Sequence, residues 1–573
     1  MGFVHLRKPI RYKLKRILAA LGSVLLLSAC EHGGSGAIQP KPFPDAKENL
    51  IPYLEPGLSR YDPPIEVSFV RDADGLEELL SGLPGETLTD NRWSRLYEQV
   101  LGMKIKYDWI EKGELFRQKL GVSLASGDIP DVVKVSAQQL RQLSNAGLIQ
   151  DLSEVYDKFA TPLTKRILSQ EGTGPFDSGT IDGKLMGIPE TNSSYEQALF
   201  LWIRTDWLKR LGMQPPRTMN DLMEISKAFT EKDPDQNGKK DTFGLAATNY
   251  LWDPVMGVTG FMAGYDAFPN LWILDKSGKL VYGGIQPQIK TALQALQEMY
   301  RNGQIYSEFA YTDGRKVKEQ IAEGKIGMMY GQQWGSFFVQ ASRSRNPSAE
   351  WQAFPLVTVS GEAPKVPLRF STYQYFAVRK DYPHPEAIVK LINLHLEKNW
   401  GKTAEYETYY NTTIPVWQLS PVTPYPPLKN LEAFRELEEA RRTGNRSVLK
   451  DEAEFIQKKI DAYSSGNGDR ESGWGWERTY GPNGAMAILD QYEHNGQLLF
   501  ERFVGAPTET MIEKQDILTH LQDETFTGII LGSPIDKFDR FVTDWRKLGG
   551  DKITAEVNEW FAARAFASTR RGR

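Results

Sequence analysis

The chain has 573 residues, of which 40% are hydrophobic and 25% charged, and its 69 basic and 73 acidic side chains leave a net charge of -4. That charge balance argues against nucleic acid as a partner, and the length exceeds what one hydrophobic core serves, so two or more lobes are expected. A single cysteine leaves no disulfide within the chain, so stability must come from packing or from a metal, and beyond residue 30 no apolar run reaches the ~20 residues of a membrane span.

In chain order, Arg7, Lys8, Arg11, Lys13, Lys15 and Arg16 form a basic head. The apolar run Ile17–Leu27 follows, and then small residues before Cys30. Basic, apolar, small is the layout of a secretory signal. Leu27-Ser28-Ala29-Cys30 resembles the bacterial lipobox, which implies removal of residues 1–29 and diacylation of Cys30. The implied location is the extracellular face of a cell membrane, of Gram-positive type, with a lipid anchor. The bland alternative is a buried apolar segment with an incidental cysteine. Residues 1–29 carry six basic and no acidic side chains, so the chain from Cys30 onward has 63 basic against 73 acidic groups, or -10.

Residues 30–60 are rich in glycine and proline and read as a flexible tether. Structured sequence begins at Ile65–Val70, whose alternation predicts a strand. Lys104–Ile110 predicts another strand, Leu115–Gly127 a helix stopped by glycine, Asp131–Val135 a strand and Ala137–Gly147 an amphipathic helix. Leu199–Arg204, Ile326–Gly331 and Tyr373–Arg379 read as further strands, and Phe538–Phe566 as two closing helices. Such alternation predicts parallel α/β layers. The stretch Glu471–Gly484, with glycines around Trp474 and Trp476, reads as an exposed loop.

Five segments together resemble the extracellular solute-binding proteins of bacterial ABC importers, in the sugar-binding family that includes maltose-binding protein. They are Leu124–Val135, Asp182–Glu190 with its Asp-Gly hairpin turn, Leu199–Met213, Glu323–Trp334 and Tyr375–Leu394. The resemblance implies an α/β, two-lobed, periplasmic-binding-protein-like (type II) fold with hinge strands and an interlobe cleft. It implies an N-terminal lobe of residues 61–190 and 356–397 and a C-terminal lobe of 191–355 and 398–573. The partners it implies are an oligosaccharide and an ABC transporter permease, and a monomer is expected. Binding a sugar needs aromatic faces for its CH surfaces and polar groups for its hydroxyls.

Trp334 leads the candidate ligand-binding residues, because it follows a strand and two amide side chains; the alternative is a core tryptophan. Glu190, Asn192 and Tyr195 follow a proline stop where the chain crosses between lobes, or else make a polar loop. Arg204 ends an apolar strand, so its charge is expected to surface in the cleft or in a surface salt bridge. Ser136 and Gln138 match positions where relatives present sugar-binding side chains, although both types also suit a helix start. Trp252, Trp474, Trp476 and Tyr373 are further platforms, with core packing as the alternative for each.

Asp233, Asp235 and Asn237 fall at positions 1, 3 and 5 of an EF-hand-like loop, with Gly238 at the sixth, the Lys239 carbonyl at 7 and Asp241 at 9. Hard oxygen ligands around one glycine suit Ca²⁺, and the resemblance implies a structural calcium here. Position 12 is Gly244 where an EF-hand has a bidentate Glu, which predicts a weaker or water-completed site. The alternative is a hydrophilic turn held by Asx hydrogen bonds. A polysaccharide-degrading enzyme is the rival class, but the six histidines are scattered and neither HExxH nor GxSxG occurs. A binding lipoprotein serving a sensor or adhesion system would use the same cleft.

Overall fold

The computed structural model describes residues 55–411, 414–465 and 470–571, with the backbone alone for 470–472 and 565–571. The expected signal segment, Cys30 and the tether up to residue 54 lie outside the described residues. Seven strands build the two principal sheets: β1 (Val132–Ser136), β2 (Ile188–Pro189), β3 (Phe200–Arg204), β4 (Phe243–Leu245), β5 (Ile326–Gly331), β6 (Trp351–Phe354) and β7 (Gln374–Val378). Six helices are used below: α1 (Ala137–Asn145), α2 (Gly335–Arg345), α3 (Asp451–Ser465), α4 (Arg470–Tyr480), α5 (Glu509–Ile530) and α6 (Asp551–Arg571).

In the first lobe the sheet runs β1-β7-β2, with β7 antiparallel to both neighbours. A parallel pair, Ile65–Asp72 and Met103–Glu111, lies beside it through mutual hydrogen bonds of Ser68 and Asp131. In the second lobe the order is β6-β3-β5-β4, with β3 antiparallel to β5 and β6 and β4 parallel to β5. The expected parallel layering therefore holds only for the outer pairings. In the first lobe the antiparallel strand is β7, from the chain's second entry, whereas in the second lobe it is β3, the first strand after the crossing.

Local signals did set many element ends. Asp182 and Gly183 both take positive φ, 50° and 80°, as a two-residue hairpin turn requires. Ser136 and Gln139 form a capping box at α1, and Thr218 and Asp221 form another at Met219–Glu231. The second-lobe core buries Trp202, Trp207, Trp351, Phe229 and Tyr330, while the first-lobe core centres on Trp93 and Tyr97, with His395 stacked 4.7 Å from Trp93. Burial without a compensating charge pushes the His395 imidazole down to about 3, so it stays neutral.

The cores correct the expected lobe boundaries. Leu356, Val357, Val366 and Leu368 pack in the second-lobe core, although 356–397 was assigned to the first. Tyr409, Val416, Leu419 and Val422 pack in the first-lobe core, although 398–573 was assigned to the second. The helix Ala387–Trp400 does not end its lobe, because the aromatic run after it folds back, with Tyr409 5.1 Å from Trp93. The tether also ends earlier than residue 60. Leu58 is buried in the first lobe, and Gly57 and Ser59 accept hydrogen bonds from Asn393 and Lys390. Three segments, residues 190–199, 369–373 and 423–428, thus join the lobes.

Candidate functional site

Strand direction decides which sheet edges face the lobe junction. Glu190 follows β2 and opens the first crossing segment, and Gln374, at the start of β7, pairs with Ser136 at the end of β1. The first-lobe edge at the junction therefore carries Ser136, Glu190 and Tyr373. Across the junction, Gly331 at the end of β5 pairs with Phe200 at the start of β3. The carboxyl ends of β4 and β5 emerge there, and with them Trp334.

The three crossing segments knit a polar floor. Lys134 Nζ lies 3.2 Å from Glu190, and the Thr423 hydroxyl donates to the same carboxylate. Asn192 Nδ2 donates to the Tyr373 hydroxyl at 3.2 Å, and the Tyr425 hydroxyl donates to Asn192 Oδ1. Glu190, Asn192 and Tyr373 are thus brought together, with Tyr373 58% exposed. Thr423 and Tyr425 escaped the sequence reading, since they come from more than 200 residues away and no local pattern marks them.

A buried ionic cluster lies behind that floor. Lys429 Nζ is 3.0 Å from both Glu452 carboxylate oxygens and 2.8 Å from Asn430 Oδ1, and Asn430 donates to Glu196. Its ammonium also sits 5.6 Å from the ring centres of Tyr410 and Tyr425. Burial opposes the charge on Lys429, but Glu452, Tyr410 and Glu196 outweigh it and hold its proton firmly. Burial also pushes the Glu196 carboxyl up, against the pull of Lys429.

On the second-lobe edge, Trp334 is partly exposed at the start of α2. Its Nε1 donates to Gln332 Oε1 at 2.7 Å and its ring packs 5.1 Å from Phe338. Trp252 is instead an anchor. Its Nε1 donates to Asp523 at 2.7 Å and its ring meets Phe526 on α5 edge-on, which pins the loop after β4.

Several expected cleft residues lie elsewhere. Arg204 is 2% exposed, pairs with Asp206 at 2.7 Å, and sits 4.5 Å over Trp207. It ends β3, which runs opposite to β5, so it occupies the sheet edge remote from Trp334. Trp474 is 1% exposed and lies within α4, between Arg343 and Arg478. Trp476 packs edge-on against Phe337 and Phe455. The glycines beside them are not loop residues. A Cβ on Gly473 would stand 2.3 Å from the Lys459 carbonyl of α3, and one on Gly475 2.7 Å from Phe337 of α2, so their smallness lets the helices approach. The Ser136 hydroxyl is committed to capping α1, and Gln138 donates to the Ile512 carbonyl of α5. Tyr195 turns from the floor. It packs on Phe500 and lines a cavity of about 360 Å³ with Glu171, Arg369, Glu501 and Arg564, and burial and Glu493 push its phenol up to about 12.

Asp233, Asp235, Asn237, Lys239 and Asp241 lie in one closed turn. Asp233 accepts from Asn237 N and Gly238 N, Gly238 has φ 75°, and Asn237 Nδ2 lies 2.8 Å from Asp235 and 3.0 Å from Asp241. Asx hydrogen bonds are therefore present. Asp235 Oδ1 is nevertheless buried with no hydrogen-bond partner. Burial, then Asp233, raises the Asp235 carboxyl, so an added positive charge would relieve this group. The donor set fits a hard divalent cation. Gly244 cannot be an acid here, because a Cβ would meet Ser226 Oγ at 2.0 Å.

A profile of the family described as bacterial extracellular solute-binding protein matches residues 87–401. The chain is 24% identical over 489 residues to lipoprotein LipO of Bacillus subtilis, covering 81% of this chain and 87% of that protein. It is 29% identical over 245 residues to the fructooligosaccharide ABC transporter substrate-binding protein FusA of Streptococcus pneumoniae, covering 41% of this chain and 45% of FusA. The structure of FusA with kestose superposes with a TM-score of 0.58 at 16% identity, over 88% of this chain and 100% of that one. A FusA EF-hand mutant with fructo-nystose gives the same score. The fold is the two-lobed type II fold of these proteins.

Proposed function

The chain belongs to the bacterial extracellular solute-binding proteins, and from that premise we propose that it captures an oligosaccharide between its lobes and delivers it to an ABC transporter permease. The carrying observation is two unlike surfaces at the junction: a polar floor of Glu190, Asn192, Tyr373, Thr423 and Tyr425 on the crossing segments, and Trp334 on the second-lobe edge. Hydroxyl partners on one side and an aromatic face on the other match the two surfaces of a sugar ring. Lys134 and Glu190 neutralise each other, which favours a neutral sugar. Rotation about the three crossing segments would bring the edges together over the ligand. Binding without bond cleavage is all that this arrangement needs.

The lipobox-like Leu27–Cys30 segment supports anchoring by lipid on Cys30, and among the described residues no helix is long and apolar enough to cross a membrane. Anchoring keeps a captured ligand near the permease that would accept it. The relative LipO is named a lipoprotein, which accords with this reading.

The test is a thermal-shift screen of the chain from residue 30 with Cys30→Ala, against fructooligosaccharides, oligogalacturonides, other neutral oligosaccharides, peptides and amines. A neutral oligosaccharide is expected to raise Tm by a few degrees. Stabilisation by a peptide or an amine and by no sugar overturns the assignment.

We assign Ca²⁺ to the loop of Asp233, Asp235, Asn237, the Lys239 carbonyl and Asp241, as a structural ion of the second lobe. The orphaned Asp235 Oδ1 supports it, as does the EF-hand named for FusA. At a calcium concentration a hundredfold above Kd the ion contributes about 2.7 kcal/mol, so chelation is expected to lower Tm by roughly 2–3 °C in a chain of this size. Asp235→Asn should remove most of that response. An unchanged Tm on chelation would return the loop to a simple Asx turn.

A further inference from the structure

The crossing segments are polar where they are buried. Thr191, Ser193, Ser194 and Ser371 are each 4% exposed or less, and a buried polar side chain has to be paired. For Ser194 and Ser371 the partner is Glu171, in the turn that follows the helix Pro162–Leu168, whose Ile167 and Leu168 lie in the first-lobe core.

Glu171 accepts from Ser194 N at 2.7 Å and from the Ser194 hydroxyl at 2.8 Å, which ties the first crossing segment to the first lobe. The Ser371 hydroxyl of the second segment lies 3.4 Å from the same carboxylate and 3.1 Å from Ser194 Oγ, and it donates to the Asn192 carbonyl at 3.0 Å. Beside Glu171, Gln170 accepts from Leu428 N, at the end of the third segment, at 3.3 Å. Its amide also donates to Glu432 on the helix Lys429–Thr443 that follows. Thr191 donates to the Tyr425 carbonyl at 3.0 Å and joins the first segment to the third. Two adjacent side chains of one first-lobe turn thus reach all three segments, close in the chain to Asn192, Tyr373 and Tyr425 of the floor. Residues 195–199 and 369–370 are not held by that turn, and Tyr195, Arg369 and Phe370 among them line the cavity of about 360 Å³, which leaves them room. Gln197 Nε2 donates to the Arg369 carbonyl at 3.3 Å and joins these two lengths to each other.

We infer that Gln170 and Glu171 are positioning residues that hold the crossing segments to the first lobe, so that the polar floor is assembled before a ligand arrives and bending of the first two segments is confined to residues 195–199 and 369–370. This inference rests on the sugar-binding reading above. A floor fixed in advance spares the ligand the cost of ordering it, so affinity depends on a carboxylate that never touches the sugar. Removing that carboxylate costs little stability, because the cavity beside it admits water to Ser194. Burial pushes the Glu171 carboxyl up, against the hydrogen bonds from Ser194, so a neutral amide is tolerated in its place. A glutamine there would accept from Ser194 N through Oε1 and donate to Ser194 Oγ through Nε2. That frees the Ser194 proton for Ser371, and the Ser371 hydroxyl still donates to the Asn192 carbonyl.

The test compares the chain from residue 30 with Cys30→Ala, as parent, with its Glu171→Ala, Glu171→Gln and Gln170→Ala variants. Tm is measured for each, and Kd by calorimetry for the sugar that raises Tm in the screen. Cys30 is the only cysteine, so Val122→Cys on the first lobe and Lys276→Cys on the second, both exposed, can carry spin labels that report the spread of interlobe distances. Glu171→Ala is expected to weaken binding roughly tenfold, with Tm within about 2 °C of the parent, and to broaden the interlobe distances of the sugar-free protein. Glu171→Gln should restore both affinity and distances, and Gln170→Ala, which frees one segment only, should fall between. Unchanged Kd and distances in Glu171→Ala, or a loss as deep in Glu171→Gln, overturn the positioning role while sugar binding stands. A large fall in Tm that glutamine does not reverse makes Glu171 a structural residue only and overturns it as well. If no sugar binds the parent, the functional reading itself fails, and the interlobe distances still decide whether this turn holds the segments.

Discussion

Lys429→Met should destabilise the protein by about 3–5 kcal/mol, the usual cost of stranding one side of a buried ion pair. Lys429 bridges Glu452, Asn430 and, through Asn430, Glu196, and its side chain and that of Glu452 are only 12% and 16% exposed. Without the ammonium, two carboxylates would remain in a region walled by Tyr410, Tyr425 and Tyr480, where water cannot repay their charge. In a chain of this length the loss reads as a Tm fall of roughly 2–4 °C. Removing the partner as well, as Lys429→Met with Glu452→Leu, should recover most of the loss, since an apolar pair of similar volume replaces the ionic one. The cluster ties the first crossing segment to the third, and Tyr425 reaches from it to Asn192. Sugar affinity should therefore fall in the single variant and return in the double. A single variant as stable as the parent would mean that water reaches the cluster.

Trp334→Ala should weaken sugar binding by about 1–3 kcal/mol, or roughly five- to 150-fold in Kd, the value of one buried aromatic face. The fold should survive, because the indole is partly exposed and packs chiefly on Phe338. Trp334→Phe keeps a flat ring and should retain most of the affinity. An unchanged Kd in the alanine variant would take Trp334 out of the site, and a large fall in Tm would place it in the core. Arg204→Met provides a contrast. Arg204 lies at the remote end of β3, so this change should spare affinity and act on stability alone.

Much of the local structure was legible. Strands at Ile65, Met103, Val132, Phe200 and Ile326 appear within a residue or two of where alternation places them, because a strand's side-chain period is local. The Asp-Gly turn was readable for the same reason, and the loop Asp233–Asp241 closes on contacts within nine residues. The site was legible in pieces: Glu190, Asn192 and Tyr373 converge, but Thr423 and Tyr425, which complete the floor, carry no local mark. Trp252 was chosen for its chemistry, whereas Tyr250 beside it is the exposed ring. Its fate depends on Asp523, an anchor 271 residues later in the chain.

By itself the sequence determined the class: an α/β chain of two lobes, with a lipobox-like start, a loop of EF-hand-like spacing and a run of segments in the order of one binding-protein family. Hydrophobic period, turn chemistry and motif spacing report the face of an element and where it ends. They do not report the direction in which it enters a sheet, and that was left to the tertiary structure. Because β3 returns antiparallel to β5, Arg204 and Trp334, both at strand carboxyl ends, stand at opposite edges. Helix packing likewise turned the glycines around Trp474 and Trp476 from presumed loop formers into points of close approach. Which side chains meet at the junction is set by long-range contacts among three crossing segments, and those exist only once both lobes are folded.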